Sequence, residues 1–311
     1  MKTFLEIIKE AIGAGANAVY FVAGQPITYK YGAEYRRAND SILMPDDTAA
    51  LVGQAYNMIR RQLPGADGGR DDLFALSVPG FSRMRVTVFS QRNSCAMAVR
   101  VIPFTLPQPE TMHIPEEIMR LSELQEGLVL VCGPAESGKS TTLTCLLNAI
   151  NNERFCHILT LENPIEYLIP NRKSFLSQRE LELDTGSLAA GLRTARSLAP
   201  DVLYVSDAGE AEAYPTLLEV ADNGRLVLAG MRAGTQLSAV SSILNQFSGA
   251  ELRRTASLLS QVLRMLVFQR LVTGPDGVRR PEFRLLEPDT AIRRAIESGD
   301  VAVLRAVFPE E

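Results

Sequence analysis

Gly133, Pro134, Ala135, Glu136, Ser137, Gly138, Lys139 and Ser140 follow an apolar run at 127–132 and lead into a helical stretch at 141–150. The spacing Gly-x-x-x-x-Gly-Lys-Ser between strand and helix limits the folds open to this chain more than any other feature. A glycine-rich turn at a helix start aims several backbone N–H groups at one point, where the helix dipole also favours negative charge. Phosphate is the ligand such a turn takes. Lys139 is expected to neutralise the β- and γ-phosphates of ATP and the Ser140 hydroxyl to hold Mg²⁺, with Thr141 ending the nucleotide-binding stretch.

A chain of 311 residues, 46% of them hydrophobic, has room for a sizeable core and about two domains. The net charge of −4 is spread among interspersed acids and bases, so the sequence advertises no strongly basic face for direct contact with nucleic acid or anionic membrane. Cys95, Cys132, Cys145 and Cys156 show no Cys-x-x-Cys spacing. Three of them sit in apolar strand or helix contexts, as buried free thiols do, which fits a reducing cytoplasm. No apolar run approaches the ~20 residues of a membrane span. Glu6, Lys9 and Glu10 interrupt the N-terminal segment, unlike a signal peptide. A cytoplasmic protein that meets the inner face of the membrane only through partners is expected.

Hydrophobic spacing predicts a helix over 3–12 stopped by Gly13, a strand at 18–22, a hairpin of 27–31 with 34–37 about Gly32, and a helix over 46–63. A loop at 65–69 follows. Alternation at 73–78, 84–89 and 96–102 then completes an α+β domain over 1–102, built mainly on an antiparallel sheet. Pro103, Pro107, Pro109 and Pro115 mark 103–115 as a stiff extended linker. Over 116–311, apolar runs at 128–132, 157–161, 202–205 and 226–229 alternate with helical stretches, giving an α/β domain with a mostly parallel sheet. The pattern continues with a helix over 251–268, a hairpin turning at 274–277 and a last helix pair after Pro288.

Phosphoryl transfer to water needs a metal, an in-line water and a carboxylate, and such groups sit at the carboxyl ends of strands beside the phosphate loop. Glu162, after the strand at 157–161, is the candidate water-orienting base. Asp207, after the strand at 202–205, is the candidate metal-shell carboxylate. Glu166 is read as structural.

The strings GLVLVCGPAESGKSTTL, ILTLENPIEY, SQRELELDT and PDVLYVSD resemble the secretion ATPase superfamily, and within it the type IV pilus retraction ATPases (PilT-like). GANAVYFVAGQPITYKYG, RMRVTVFSQR, Gln269, Leu271 and the stretch 291–297 extend the similarity over nearly the whole chain. The resemblance implies a PAS-like N-terminal domain before a RecA-like P-loop ATPase domain. It also implies a homohexameric ring that drives an inner-membrane pilus platform protein by ATP hydrolysis and depolymerises the pilus. Arg83 and Arg85, with Arg92 beside them, would then reach nucleotide phosphates, and Arg193 matches a further family arginine.

The likeness breaks at the catalytic parts. Asn163 and Asp207 stand where the family has aspartate and glutamate, Gly209 where it has arginine, and Glu136 where its loop has glycine. Both histidines of the family's histidine motif become Arg225 and Arg232, donors that cannot switch protonation near neutral pH. The two histidines present, His113 and His157, lie elsewhere in the sequence. These changes leave a second reading open, a hydrolysis-poor nucleotide-binding subunit beside an active paralogous ATPase. A nucleic-acid-translocating P-loop protein is disfavoured by the acidic composition.

Overall fold

The computed structural model describes residues 2–32, 34–60, 71–78, 82–102, 105–275 and 278–308. Two compact units divide the chain, Met1–Thr105 with Glu166–Leu168 and Leu106–Ile165 with Ile169–Glu311.

The first unit opens with α1 (Phe4–Gly13), which starts at a capping box. The Thr3 hydroxyl accepts from the Glu6 N–H at 3.3 Å while the Glu6 carboxylate accepts from the Thr3 N–H at 2.8 Å. Its buried face is Phe4, Ile7, Ile8 and Ala11. Then come β1 (Ala18–Phe21), β2 (Pro26–Tyr31), β3 (Glu34–Ile42), α2 (Pro45–Met58), β4 (Asp72–Val78), β5 (Ser82–Gln91) and β6 (Ser94–Ile102). Among the described residues they form one antiparallel sheet in the order β3-β2-β1-β6-β5-β4. Burial alternates along β5, with Met84, Val86 and Val88 inside, so Arg83 and Arg85 stand on the opposite face. Helix α2 ends at Met58, short of the expected 63. Positions 61–63, the loop expected at 65–69 and Pro103 lie outside the described residues.

The second unit runs α3 (Glu116–Met119), β7 (Gly127–Gly133), α4 (Lys139–Glu153), β8 (His157–Glu162), β9 (Phe175–Glu180), α5 (Leu188–Leu198), β10 (Val202–Val205) and α6 (Tyr214–Asp222). It continues with β11 (Leu226–Arg232), α7 (Gln236–Leu244), α8 (Gly249–Val262), β12 (Leu263–Thr273), β13 (Arg279–Leu286), α9 (Thr290–Ser298) and α10 (Val301–Val307). The sheet order is β13-β12-β7-β11-β10-β8-β9. Every pairing is parallel except β12 with β13. Helices cover both faces, which is why β7, β8, β10 and β11 read as continuous apolar runs. Leu128, Leu130 and Cys132 pack among residues of α5 to α9, whereas Val129 and Val131 pack with Leu143 and Leu146 of α4.

Three expectations change here. The helix expected over 251–268 ends at Val262, and 263–268 opens β12 instead. Leu266, Val267 and Phe268 pair with Leu130, Val131 and Cys132 of β7, so tertiary pairing overrides a helical period that ran on in the sequence. The segment expected as an extended linker turns back at 108–114, where Met112 N–H donates to Gln108 O at 3.0 Å and Ile114 N–H to Pro109 O at 2.9 Å. Ile114 is buried with Ile118 in the core of the second unit. Strand β9 was not anticipated. Its polar, half-buried sequence carries little alternation.

Arg293 of α9 fixes the point where α8 becomes β12. Its guanidinium donates to Ser260 O at 2.5 Å, Gln261 O at 3.4 Å and Leu263 O at 3.1 Å, taking carbonyls that the helix end leaves open. Arg293→Ala is expected to destabilise the protein by about 1–3 kcal/mol because two part-buried carbonyls lose their charged donor. Arg294→Ala, at an exposed position of the same helix, should stay within about 0.5 kcal/mol. Urea titration followed by circular dichroism measures both.

Candidate nucleotide-binding site

Strand β7 ends at Gly133 and α4 begins at Lys139, with the loop 134–138 between them. Gly133 has φ 159° and Gly138 has φ 90°. A Cβ on Gly133 would stand 2.0 Å from Gln269 O, and one on Gly138 would stand 2.8 Å from Gln269 Nε2. Only glycine fits at either place. Gln269 is buried in β12, and its Oε1 accepts from Thr142 Oγ1 at 2.9 Å. One residue of the neighbouring strand thus braces both ends of the loop and the first turn of α4.

Lys139 Nζ donates to Gly133 O at 3.0 Å, Pro134 O at 2.6 Å and Ser137 Oγ at 3.3 Å. The ammonium is folded onto the loop's own carbonyls, at the place where phosphate oxygens would compete for it. Glu136 is exposed and takes φ 58°, a left-handed conformation that costs a non-glycine residue about 1 kcal/mol or more. Ser140 is half-exposed in the first turn of α4, where its hydroxyl fits a metal that keeps phosphate and water as its other ligands.

Strands β7, β11, β10 and β8 run parallel, so Gly133, Arg232, Asp207 and Glu162 come to one end of the sheet. Arg232 is the register partner of Gly133. Asp207 follows β10, and its Oδ1 accepts from Gly209 N–H at 3.2 Å while its Oδ2 lies 3.3 Å from Arg232 Nε. Each oxygen thus has one such neighbour, and the carboxylate keeps further lone pairs for water or a metal. Among the described residues no group of three His, Cys, Asp or Glu side chains could hold a metal by itself. Glu162 is buried at the end of β8. It stands three strand positions from β7, about 14 Å at the usual strand spacing, and its Oε1 accepts from Thr160 Oγ1 at 2.7 Å and Gln178 Nε2 at 3.1 Å.

Other expected residues are scattered. Arg225 precedes β11 at the amino end of the sheet, where it pairs with Asp201 at 2.8 Å, so it does not share the loop's end of the strand with Arg232. Arg193 is exposed on α5. Arg83 and Arg85 belong to the first unit, and Arg92 with Asn93 forms the left-handed two-residue turn between β5 and β6. Glu166 is half-buried.

Sequence reading missed a cavity of about 350 Å³ beside the loop, bordered by Gly138, Thr141 and Thr142. Met112, Ile114, Leu271 and Pro281 supply apolar wall, and His113 and Arg279 supply polar edges. Its size lies in the range of ordinary small-ligand sites. No motif marks it, because its walls come from the turn at 108–114 and from both strands of the β12–β13 hairpin. His113, set apart from the site in the sequence, stands at its edge.

A glycine-rich loop that opens a helix at the carboxyl end of a strand in a mostly parallel, doubly covered sheet defines a P-loop nucleotide-binding domain. Residues 91–291 match the family described as Type II/IV secretion system protein, and the chain belongs to that family of ATPases. It is 30% identical over 297 residues to the type IV pilus retraction ATPase PilT of Pseudomonas aeruginosa, spanning 96% of this chain and 86% of that one. A twitching motility protein of Neisseria gonorrhoeae is 30% identical over 88% of this chain and 73% of its own length. The crystal structure of the pilus retraction motor PilT with bound ADP superposes with a TM-score of 0.88 at 32% identity, covering 99% of this chain and 89% of that one. The chain shares that α/β fold, an N-terminal domain followed by a C-terminal ATPase domain, as the sequence implied.

Gln269→Leu is expected to leave Thr142 Oγ1 without its partner and to loosen the loop, at a cost of about 1–3 kcal/mol. Thermal unfolding of this variant beside Thr142→Val and the double variant would show strong coupling between the two sites.

Proposed function

We propose that this protein is an ATP-driven subunit of a type IV pilus system that couples hydrolysis to pilus retraction. On this reading it works in the cytoplasm as a homohexameric ring against an inner-membrane platform protein. The observation that carries it is the intact phosphate loop braced by Gln269, in a chain that aligns with a retraction ATPase over 96% of its length.

ATP binding would begin with displacement of Gly133 O and Pro134 O from Lys139 Nζ by the β- and γ-phosphates. Loop N–H groups and the α4 dipole favour the same charge. Mg²⁺ held by Ser140 and phosphate oxygens would neutralise charge that develops on the transferring group. The apolar cavity beside Gly138 would take the base and ribose. Glu162 would orient the attacking water, its carboxylate steadied by Thr160 and Gln178. Arg83 and Arg85 would add guanidinium donors to the phosphates, the geometry that fork suits, and Arg193 is a third candidate for that role.

The engagement of Asp207 by Gly209 and Arg232 favours a second reading, a slow or hydrolysis-poor subunit acting beside an active paralogue. Loss of one charge-stabilising group commonly costs about 10² to 10³ in rate.

Steady-state Mg²⁺-ATP hydrolysis and nucleotide binding on the same purified sample separate the two. The motor reading expects turnover that Lys139→Ala abolishes together with ATP binding. Glu162→Gln is expected to keep binding within about twofold and to lower turnover by about 10² or more, as loss of a catalytic base does. Unchanged turnover in that variant removes Glu162 from the mechanism, and tight binding without turnover in the wild type selects the second reading.

A further inference from the structure

In the first unit, β3 carries more chain than its ladder with β2 uses. Pro26 pairs with Ile42 and Thr28 with Arg37, so Ile27 alone faces the four residues 38–41. Among the described residues β3 is an edge strand with no second neighbour to keep in register, and a bulge is tolerated there. Beyond it the chain is clamped again, since Leu43 N–H donates to Gln25 O at 3.0 Å and Gly24 N–H to Leu43 O at 2.8 Å. The surplus chain therefore has a fixed start and a fixed end. A cavity of about 390 Å³ opens beside it, reaching Ile7 and Glu10 of α1 and Asp47 of α2. That volume lies in the range of ordinary small-ligand sites.

The cavity has an apolar floor and a polar mouth. Ile7, Ile27 and Leu43 are buried and supply the floor, and Ile42, 59% exposed, carries apolar surface to the rim. Tyr29 is only 7% exposed, yet among the described residues its hydroxyl makes no hydrogen bond. A buried polar group at a cavity wall with no protein partner is available to a ligand. Burial, with the Glu10 charge next in effect, pushes this phenol up to about 12, so it stays a neutral hydroxyl that can both donate and accept.

The charged groups lining the cavity are Lys2, Glu10 and Asp47, two carboxylates against one ammonium. Lys2 Nζ stands 2.6 Å from Glu10 Oε2. The chain's own ammonium thus occupies the place a ligand's would take. Both partners are exposed, Lys2 at 62% and Glu10 at 53%, so solvent screens the pair and it opens at small cost. Asp47 Oδ2 accepts the Met44 N–H at 2.8 Å, and a carboxylate keeps lone pairs beyond that one bond. An anion would meet a net negative lining here.

We propose that the first unit holds a second ligand site, one that takes a small organic cation with an apolar or aromatic body. The body seats on Ile7, Ile27 and Leu43, while the protonated amine displaces Lys2 from Glu10 and donates to the Tyr29 hydroxyl. Its ligand is opposite in charge to a nucleotide, and every lining residue belongs to the first unit.

The protein contains no tryptophan, so the fluorescence anisotropy of an added indole reports its binding directly. Tryptamine, tryptophol and indole-3-acetate present one aromatic body with a cationic, a neutral and an anionic head. Titrated with the full chain, tryptamine is expected to bind about fivefold or more tightly than tryptophol, and indole-3-acetate more weakly than either. Glu10→Gln is expected to remove the advantage of tryptamine and to leave tryptophol within about twofold. Lys2→Ala is expected to tighten tryptamine about two- to fivefold by removing the tethered competitor, a gain that a merely structural ion pair would not give. Tyr29→Phe should weaken tryptamine and tryptophol alike, about two- to fivefold. Circular dichroism checks that each variant is folded. No anisotropy change with any of the three compounds would overturn the site, and equal affinity for the three heads would overturn its preference for cations. An unchanged tryptamine advantage in Glu10→Gln would overturn its placement. Loss of tryptamine binding on saturation with Mg²⁺-ATP would assign the indole to the nucleotide site instead.

Discussion

The close approach of Gln269 to the phosphate loop is the constraint on which the second unit depends. Its carbonyl and its side-chain amide stand where Cβ atoms on Gly133 and Gly138 would be, and its Oε1 takes the Thr142 hydroxyl. That approach requires β12 to run beside β7, with Phe268 paired to Cys132 one residue before the wedge. Strand β12 in turn requires α8 to stop at Val262, where Arg293 of α9 binds the released carbonyls. A guanidinium in the last helix pair, a strand switch and a buried glutamine thereby form a continuous physical path to the loop. The path is a set of contacts, and double-variant coupling along it is the quantity that would show energy moving through it.

Much of this was legible in the sequence for a simple reason. Apolar runs buried on both faces announce parallel strands, and Gly-x-x-x-x-Gly-Lys-Ser is specific enough to fix strand, loop and helix together. The carboxyl-end position of Glu162 and Asp207 followed from chain order alone. What was hidden depended on contacts distant in sequence. Leu263, Leu266 and Val267 continue the helical spacing of α8, and only their pairing with β7 makes them strand. His113 and Arg279 border one cavity although 166 positions separate them. Strand β9 is an edge with polar residues at Ser177, Gln178 and Arg179, so neither burial nor alternation revealed it.

The two arginines that flank β11 show how little a sequence position says about electrostatic work. Arg225 and Arg232 lie seven residues apart, and both have an aspartate within ion-pair distance. Because the intervening residues are extended, the span is about 23 Å at 3.3 Å per residue. Arg225 therefore belongs to the amino end, where Asp201 also accepts the His157 N–H at 2.9 Å, and it stitches β11 to β8 through that carboxylate. Arg232 belongs to the loop end, next to Gly133. One pair ties strands together at the amino end; the other stands at the loop end of the sheet.

That difference changes how the residues at the loop end of the sheet are to be weighed. Counted singly, Asp207, Gly209 and Arg232 would each be judged by its own chemistry, and the effects of changing them would multiply. Residues that share one hydrogen-bonded unit do not act independently, and their effects are not additive. Asp207 accepts from the Gly209 N–H through one oxygen and stands beside the Arg232 guanidinium with the other. Without Arg232, Asp207 would be a lone carboxylate at the loop end of the sheet, adding repulsion to an anionic ligand's charge. Here the negative charge of Asp207 is matched by the Arg232 guanidinium. Residues joined in this way are weighed by paired variants rather than by single ones, because each single change also alters what its neighbours meet.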